Sequence, residues 1–263
     1  VYMVVIVKLG GSVITNKNKF TTANKKVIVR LAGDLSKIKT PMIIVHGAGS
    51  YGHFPVKKFG IRDGFHNEKQ RLGFAKTHLY CKDLNQLVCG ALLAKGIPAV
   101  GIPPFSTVKQ ENGRISYFNT QIVKDALHEG LVPVMFGDPT LDSVKHGLPC
   151  SGDKVISFLA KVFEPTMIVF GTDVDGIYTS DPKTNKNARL IPLVTHSNLN
   201  AVLSSLEEAK THDVTGGMKG KILELLDESK KCPLIIVNAL KPGRLQKAVE
   251  GKETISTTFK LNN

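Results

Sequence analysis

Short apolar runs alternate with segments of helical periodicity along most of the chain, and this alternation sets the class of fold. The runs are apolar at nearly every residue, as expected for strands that helices cover on both faces. The alternation predicts an α/β fold, a three-layer αβα sandwich in which right-handed crossovers connect a central, mostly parallel sheet. The predicted strands are Met3–Leu9, Met42–His46, Ala99–Ile102, Val132–Phe136, Thr166–Phe170 and Leu234–Val237.

The remaining segments predict helices, two hairpins and a closing strand. Polar interruptions at Val108–Tyr117 and Asp142–Pro149 predict hairpins that could form a flap over a ligand site. Alternating β-branched residues in Glu253–Lys260 predict a closing edge strand. The predicted helices are Thr22–Lys37, Gly49–Phe59, Lys69–Lys95, Thr120–Glu129, Gly152–Phe163, Asn198–Leu206, Gly216–Ser229 and Gly243–Glu250.

Size and composition favour a cytoplasmic protein with no membrane partner. The 263 residues suit one large α/β domain or two small lobes, and no apolar run approaches the roughly 20 residues of a membrane helix. The four cysteines form no CxxC pair and have no histidine at zinc-finger spacing, so we expect free thiols and no structural zinc.

The net charge of +13 is typical of proteins that bind nucleic acid or small polyanions. The lysines are spread along the chain, and neither an arginine-rich arm nor an aromatic–basic RNA-binding pattern is present. We therefore predict no nucleic-acid partner and favour small anionic substrates.

The first predicted strand ends in a glycine-rich turn between two lysines. Lys8 is the last polar residue of the strand, where burial is costly unless an anion meets it. Gly10, Gly11 and Ser12 follow, and glycine allows backbone N–H groups to approach phosphate closely. Lys17 comes after a short loop. The alternative is a strand that ends in a solvated turn.

A second glycine-rich turn, HGAGSYGH, follows the second predicted strand and opens a helix. Gly47, Gly49 and Gly52 could surround an anion at that helix N-terminus. The turn is not a Walker A sequence, because no GK[ST] follows it. His53 would face the same anion, whereas His46 is expected to be a packed core histidine. Two such turns suggest a site for two phosphate groups.

Four acidic residues are further candidates for the site. Asp138 ends the segment FGD, at the strand end where ligands of α/β proteins bind. Asp153 begins a helix and could be a first-turn acid, or could orient the lysines or bridge to magnesium. Asp173 and Asp175 lie in TDVDGIY, which lacks the rest of an EF-hand, so calcium is not expected. That loop suits a ribose or adenine pocket, with Tyr178 as an apolar edge.

A third glycine-rich segment, DVTGGMKGK, predicts a helix start at Gly216 with Lys219 and Lys221 in its first turns. Lysines are disfavoured at a helix N-terminus, and a bound anion such as a nucleotide triphosphate would resolve that conflict.

In these segments the chain resembles the amino acid kinase superfamily. KLGGS, HGxGS, TDVDGIY and DVTGGMxxK occur in that order and span nearly the whole chain. Within the superfamily the chain is most similar to the isopentenyl phosphate kinases, because GGSVITNK ends in Lys17 and His53 opens the helix after the second turn. Fosfomycin-phosphorylating kinases share both features. The alternative is therefore a related small-molecule kinase that acts on a phosphonate such as fosfomycin or on another phosphate monoester. A non-catalytic binding module, such as a nucleotide sensor or a basic nucleic-acid protein, is a third possibility.

The resemblance implies an amino acid kinase fold, a homodimer, and ATP-dependent phosphorylation of isopentenyl phosphate with Mg²⁺. It implies an acceptor-binding half (residues 1–165) and a nucleotide-binding half (166–263) on one continuous sheet. It assigns catalysis to Lys8, Lys17, His53 and Lys221. It assigns the nucleotide to Lys8, Gly10, Gly11, Ser12, Asp173, Asp175, Tyr178, Gly216 and Lys221. It assigns the acceptor phosphate to Ala48, Gly49, Gly52, His53, Gly152 and Asp153.

The acceptor's tail is expected to be apolar. Its wall is predicted to comprise helical residues opposite the strand Val132–Phe136 and Ile156, although apolar residues at helical spacing are more often ordinary core. The predicted helical wall residues are Leu72, Phe74, Ala75, Leu79 and Leu87.

Overall fold

The described residues form three β-sheets, of eight, four and two strands. The structure is a computed structural model that describes residues 3–180, 182, 185–208, 220, 222–224, 226 and 231–261. The strands are β1 (Val5–Leu9), β2 (Met42–His46), β3 (Ala99–Gly101), β4 (Val108–Glu111), β5 (Arg114–Phe118), β6 (Val132–Phe136), β7 (Asp138–Asp142), β8 (His146–Cys150), β9 (Met167–Thr172), β10 (Ile177–Tyr178), β11 (Leu190–Ile191), β12 (Leu193–Val194), β13 (Leu234–Asn238) and β14 (Ser256–Phe259).

Helices connect most of these strands. They are α1 (Gly11–Ile14), α2 (Lys25–Leu35), a 3₁₀ turn (Gly49–Tyr51), α3 (His53–Phe59), α4 (Glu68–Leu93), α5 (Pro104–Thr107), α6 (Gln121–His128), α7 (Gly152–Phe163), α8 (Leu199–Glu208) and α9 (Arg244–Val249). No helix formed by the described residues combines the length and apolarity that a membrane crossing requires.

The larger sheet has eight strands among the described residues, in the order β12-β14-β13-β9-β1-β2-β6-β3. Its neighbours pair in parallel except β13 and β14. Every residue of the central strands β1 and β2 is buried, because helices cover both faces. One core cluster joins α6, α7 and α8 to one face, and another joins α2, α4 and α9 to the other. The predicted three-layer α/β architecture is therefore confirmed.

The four-stranded sheet, β5-β4-β7-β8, consists of the two predicted hairpins joined by a parallel contact between β4 and β7. The two-stranded sheet pairs β10 with β11. The β4–β5 hairpin turns at Asn112 and Gly113, which both have positive φ. Asp142 fastens this turn to the other hairpin by accepting a hydrogen bond from the Gly113 N–H at 2.8 Å. Backbone N–H donors hold the pKa of Asp142 below its ordinary value against the opposing effect of burial.

The predicted strands at β2 and β6 and the predicted helix at α7 match the structure residue for residue. Most other predicted elements are present with ends that differ by a few residues. Two predictions differ from the structure in more than their ends. The helix predicted from Gly49 begins as a 3₁₀ turn, with α3 starting only at His53, because Gly49 has a φ of +50°. The last strand, β14, does not close the sheet, because β12 pairs with its outer side. The predicted helix Gly216–Ser229 lies mostly outside the described residues.

Candidate active site

The predicted site residues gather where the parallel strands end. Gly10 follows β1, Gly47 follows β2, Gly137 follows β6 and Asp173 follows β9. Since these strands are parallel neighbours, their carboxyl ends share one edge of the sheet, which is where open α/β sheets bind ligands.

The two glycine-rich turns are packed directly against each other. A Cβ atom on Gly11 would lie 2.6 Å from the amide nitrogen of Gly49, and one on Gly47 would lie 2.6 Å from that of Gly11. Any side chain at Gly11 or Gly47 would therefore force the turns apart. The lack of side chains lets the two turns form one backbone surface instead of two separate sites.

Hydroxyl groups fasten the two turns together. Thr15 Oγ1 donates a hydrogen bond to the Gly11 carbonyl at 2.7 Å and accepts one from the Ser50 N–H at 3.0 Å. Ser50 Oγ in turn accepts a hydrogen bond from the Thr22 N–H at 3.2 Å. The loop of residues 16–22, which carries Lys17, is thereby attached to the second turn.

Lys8 is buried in β1, and its ammonium group forms an ion pair with Asp153. The ammonium nitrogen also lies 4.5 Å from the centre of the Phe170 ring. Asp153 lies in the first turn of α7, where Ser151 caps the helix by accepting a hydrogen bond from the Lys154 N–H. Asp153 is thus a first-turn acid that also pairs with Lys8, whereas among the described residues the carboxylate nearest to Lys17 is that of Asp173.

Asp173 joins Ser12 and Lys17 on the other side of the first turn. Ser12 Oγ donates a hydrogen bond to Asp173 at 3.0 Å, and the Lys17 ammonium lies 3.8 Å from the other carboxylate oxygen. Lys17 is 65% exposed. Its ammonium group is therefore accessible to solvent beside the interlocked turns.

The second turn continues into a cluster of small residues. A Cβ atom on Gly137 would lie 3.3 Å from the Gly152 amide nitrogen and 3.4 Å from that of Ala48. Gly52 packs against Ala48 and against Cys81 of α4, and His53 follows it as the exposed first residue of α3. The predicted acceptor residues Ala48, Gly52, His53 and Gly152 are thus close together.

Asp175 contacts β13 and α9. Its carboxylate accepts hydrogen bonds from Arg244 at 2.6 Å and from Asn238 at 2.9 Å. Burial, and then the Asp175 charge, raise the pKa of the Tyr178 hydroxyl above its usual value. Sequence reasoning did not single out Arg244 or Asn238. The pattern that could have identified them is a polar residue, Asn238, at the end of β13 and a cationic residue, Arg244, at the start of the next helix.

Asp138 lies on the α4 side of the site. Its buried carboxylate accepts a hydrogen bond from His78 at 3.0 Å and one from the Phe105 N–H at 3.1 Å. Burial raises the pKa of Asp138, and His78 opposes that rise. The His78 ring lies 4.9 Å from the Phe105 ring, which in turn contacts Phe74. Asp138 therefore joins α4 to α5.

The predicted apolar wall is partly wrong. Leu72, Ala75 and Leu79 lie on the exposed side of α4, and Ile156 is buried on the opposite face of the sheet. Of Leu72, Phe74, Ala75 and Leu79, only Phe74 is buried. It packs with Phe65 and Phe105 between α4, α5 and the β7–β8 hairpin.

Gly216 and Lys221, predicted to contact the nucleotide, lie outside the described residues, as does Lys219. Among the residues that are described, no group of three or more His, Cys, Asp or Glu side chains has the geometry of a metal site.

Comparison with known proteins identifies a family and several similar kinases. Residues 3–238 match the model of the amino acid kinase family. The isopentenyl phosphate kinase of Methanothermobacter thermautotrophicus is 40% identical, over 96% of this chain and 97% of the relative. That of Thermoplasma acidophilum is 32% identical, over 91% of this chain and 94% of the relative.

Solved structures give the same picture. An isopentenyl phosphate kinase structure superposes with a TM-score of 0.84 at 36% identity, covering 97% of this chain and 99% of the other. A second, described as a substrate complex of isopentenyl phosphate kinase, has a TM-score of 0.81 at 27% identity and covers 98% and 100%. A UMP kinase from Ureaplasma parvum, at 18% identity and a TM-score of 0.64, shares the fold.

Proposed function

Because the chain belongs to the amino acid kinase family, we propose that it transfers the γ-phosphoryl group of ATP to isopentenyl phosphate, giving isopentenyl diphosphate and ADP. The observation that carries the proposal is the pair of interlocked glycine turns, flanked by Lys8 and Lys17, at the carboxyl edge of the sheet. Relatives that match nearly the whole chain carry the name of this activity.

The acceptor phosphate binds at the second turn. Backbone N–H groups of Ala48, Gly49 and Gly152 donate to it, and His53 donates from the start of α3. The Gly52 N–H, which was predicted to join them, instead donates to the Gly49 carbonyl at 3.2 Å. A phosphate monoester is already an anionic nucleophile near neutral pH, so the reaction needs no strong general base. One acceptor oxygen attacks the γ-phosphorus, and the bond from that phosphorus to the bridging oxygen breaks, leaving ADP with the electron pair.

The nucleotide binds at the first turn and the loop after β9. Gly10, Gly11 and Ser12 line the phosphates, while Asp173, Asp175 and Tyr178 frame the nucleoside. Resemblance to the family places Gly216 and Lys221 at the same nucleotide. Phosphoryl transfer depends mainly on positioning and on neutralising charge. Lys8 and Lys221 serve the ATP phosphates, and Lys17, on its exposed loop, stabilises the group in transfer.

Magnesium enters with the nucleotide in this proposal. The carboxylates at the site are engaged by cationic partners: Asp153 by Lys8, Asp173 by Lys17 and Asp175 by Arg244. Mg²⁺ is commonly bound through substrate phosphates with one or two carboxylates. The donor set fits a metal that the ATP phosphates hold and that neutralises their charge.

The proposal also covers the division of the chain into two halves, the oligomeric state and the location in the cell. The acceptor half comprises residues 1–165 and the nucleotide half residues 166–263, with strands of both halves in one sheet. The resemblance favours a homodimer, which light scattering would test. All four cysteines are described and none forms a disulfide, which supports a cytoplasmic location.

A coupled ADP-release assay tests the proposed function. Isopentenyl phosphate, dimethylallyl phosphate, fosfomycin and no acceptor are compared with ATP and magnesium, for the wild type and for His53→Ala. Turnover on the isoprenoid phosphates that collapses in His53→Ala is expected. Activity on fosfomycin alone, or on no acceptor tested, would contradict the proposal.

A further inference from the structure

The buried histidine at the end of β2, His46, connects the core to the acceptor turn. We propose that His46, held by Asn85, is a positioning residue that aims the Ala48 N–H at the acceptor phosphate. The inference rests on the proposed function, because it takes the second glycine turn as the acceptor site.

The His46 ring is fixed by packing. It is fully buried and stacks on Phe136, with ring centres 5.3 Å apart and planes 12° from parallel. Asn85 reaches it from α4, and Gly101 gives that amide its room, because a Cβ atom on Gly101 would collide with the Asn85 carbonyl oxygen. A ring held in this way has one orientation.

Two carbonyl groups determine where the hydrogen atoms lie. Nδ1 of His46 is 3.0 Å from the Gly47 carbonyl oxygen, which can only accept, so Nδ1 carries the hydrogen. The Asn85 amide nitrogen lies 3.1 Å from Nε2 and 3.4 Å from the Val134 carbonyl, so the NH₂ group faces the ring. Burial lowers the pKa of His46 to about 4, which keeps the ring neutral at physiological pH.

The planar peptide group passes this constraint to the site. In a trans peptide, the carbonyl oxygen and the N–H of the next residue point in opposite directions, and none of the described peptides is cis. Drawing the Gly47 carbonyl towards the ring therefore turns the Ala48 N–H away from the core. That amide lies beside Gly137, where the Gly152 amide also lies. Two donors are thus brought to one place before the acceptor arrives.

Two variants separate the donor from the packing. His46→Asn keeps an N–H near the Nδ1 position, whereas His46→Leu removes it at a similar side-chain volume. Phe136→Leu is the matched control, since it disturbs the same stack without touching the donor. A hydrogen bond to a charged group contributes enough that its loss weakens binding roughly 10- to 100-fold.

The measurements are the calorimetric Kd for isopentenyl phosphate and the KM values for both substrates, below each variant's melting temperature. We expect His46→Leu to weaken isopentenyl phosphate binding by that factor with the KM for ATP nearly unchanged. His46→Asn and Phe136→Leu should stay close to wild type. Unchanged binding in His46→Leu, or equal weakening in Phe136→Leu or His46→Asn, would overturn the inference.

A second measurement needs no variant. ¹⁵N–¹H correlation spectra of the histidine-labelled wild type report the tautomer of His46, and hydrogen on Nδ1 is expected. Hydrogen on Nε2 would overturn the inference even if His46→Leu does not fold. A wild type that fails to bind isopentenyl phosphate would instead refute the proposed function, and this inference with it.

Discussion

The ion pair between Lys8 and Asp153 allows a test of whether a buried carboxylate stabilises the charge of Lys8. The side chains are 6% and 14% exposed, so neither charge is well solvated. Replacing Asp153 with Asn leaves the Lys8 ammonium in the core without its carboxylate. Replacing Lys8 with Met removes the charge that needs a partner.

The expected magnitude follows from this burial. Exposed ion pairs contribute about 0–1 kcal/mol, whereas removing one partner of a buried pair costs about 3–5 kcal/mol. We expect Asp153→Asn to lower the free energy of unfolding by about 3 kcal/mol, of which roughly 0.5 kcal/mol is the lost interaction of a first-turn acid with the helix dipole. The Lys8→Met/Asp153→Asn double variant should recover most of the difference.

Urea unfolding of the wild type, both single variants and the double variant gives a double-mutant cycle, which isolates the pair from the helix effect. We expect a coupling energy of about 2 kcal/mol. A coupling below about 0.5 kcal/mol, the level of an exposed pair, would refute the view that Lys8 is held by a buried partner.

Three further predictions concern single residues. Lys17→Ala should lower kcat by about 10²–10³-fold. Because Lys17 is exposed, the free energy of unfolding should stay within about 0.5 kcal/mol of the wild type. Lys17→Arg is the control, and a loss of stability in Lys17→Ala would count against a purely catalytic role. Gly49→Ala should lower the free energy of unfolding by more than about 1 kcal/mol, because the φ of Gly49 is +50° and a Cβ atom would meet Thr15. The control is Gly90→Ala in α4, where a Cβ atom has open space. This control should raise the free energy of unfolding, measured by chemical denaturation, by up to about 1 kcal/mol. The pKa of His46, lowered to about 4, means that the unfolded chain binds a proton that the native state does not between pH 6.5 and 4. As the pH is lowered through that window, the free energy of unfolding should decrease by at most about 1.4 kcal/mol per pH unit. His46→Asn should lose this part of the pH dependence.

The sequence predicted the central sheet well because its strands are buried on both faces. Runs such as MIIVH in β2 have no polar alternation, and their bounds follow from the glycines that succeed them. The short strands β10, β11 and β12 were missed, because two-residue strands carry no period. Joining of the two hairpins into one sheet also could not be predicted, since it depends on a single parallel contact between distant residues.

The sequence proposes the candidate site as a set of residues, and it does not give the contacts between them. Glycines after strands indicate phosphate turns, but their spacing does not say that Gly11 and Gly49 touch. A buried lysine indicates an anionic partner, and the sequence left the orienting of the lysines as one of several possible roles for Asp153. The fold shows that Asp153, far along the chain, is the partner of Lys8. The prediction of the apolar wall was partly wrong for the same reason, because helical periodicity does not tell which side of α4 faces the sheet.

The central claim is that the enzyme transfers the γ-phosphoryl group of ATP to the phosphate group of the acceptor. ³¹P NMR of isopentenyl phosphate with ATP, magnesium and the enzyme tests it most directly. The account predicts that the single phosphomonoester resonance of the acceptor gives way to two mutually coupled resonances, in step with ADP. ADP that forms while the acceptor resonance stays single, or no reaction at all, would contradict it.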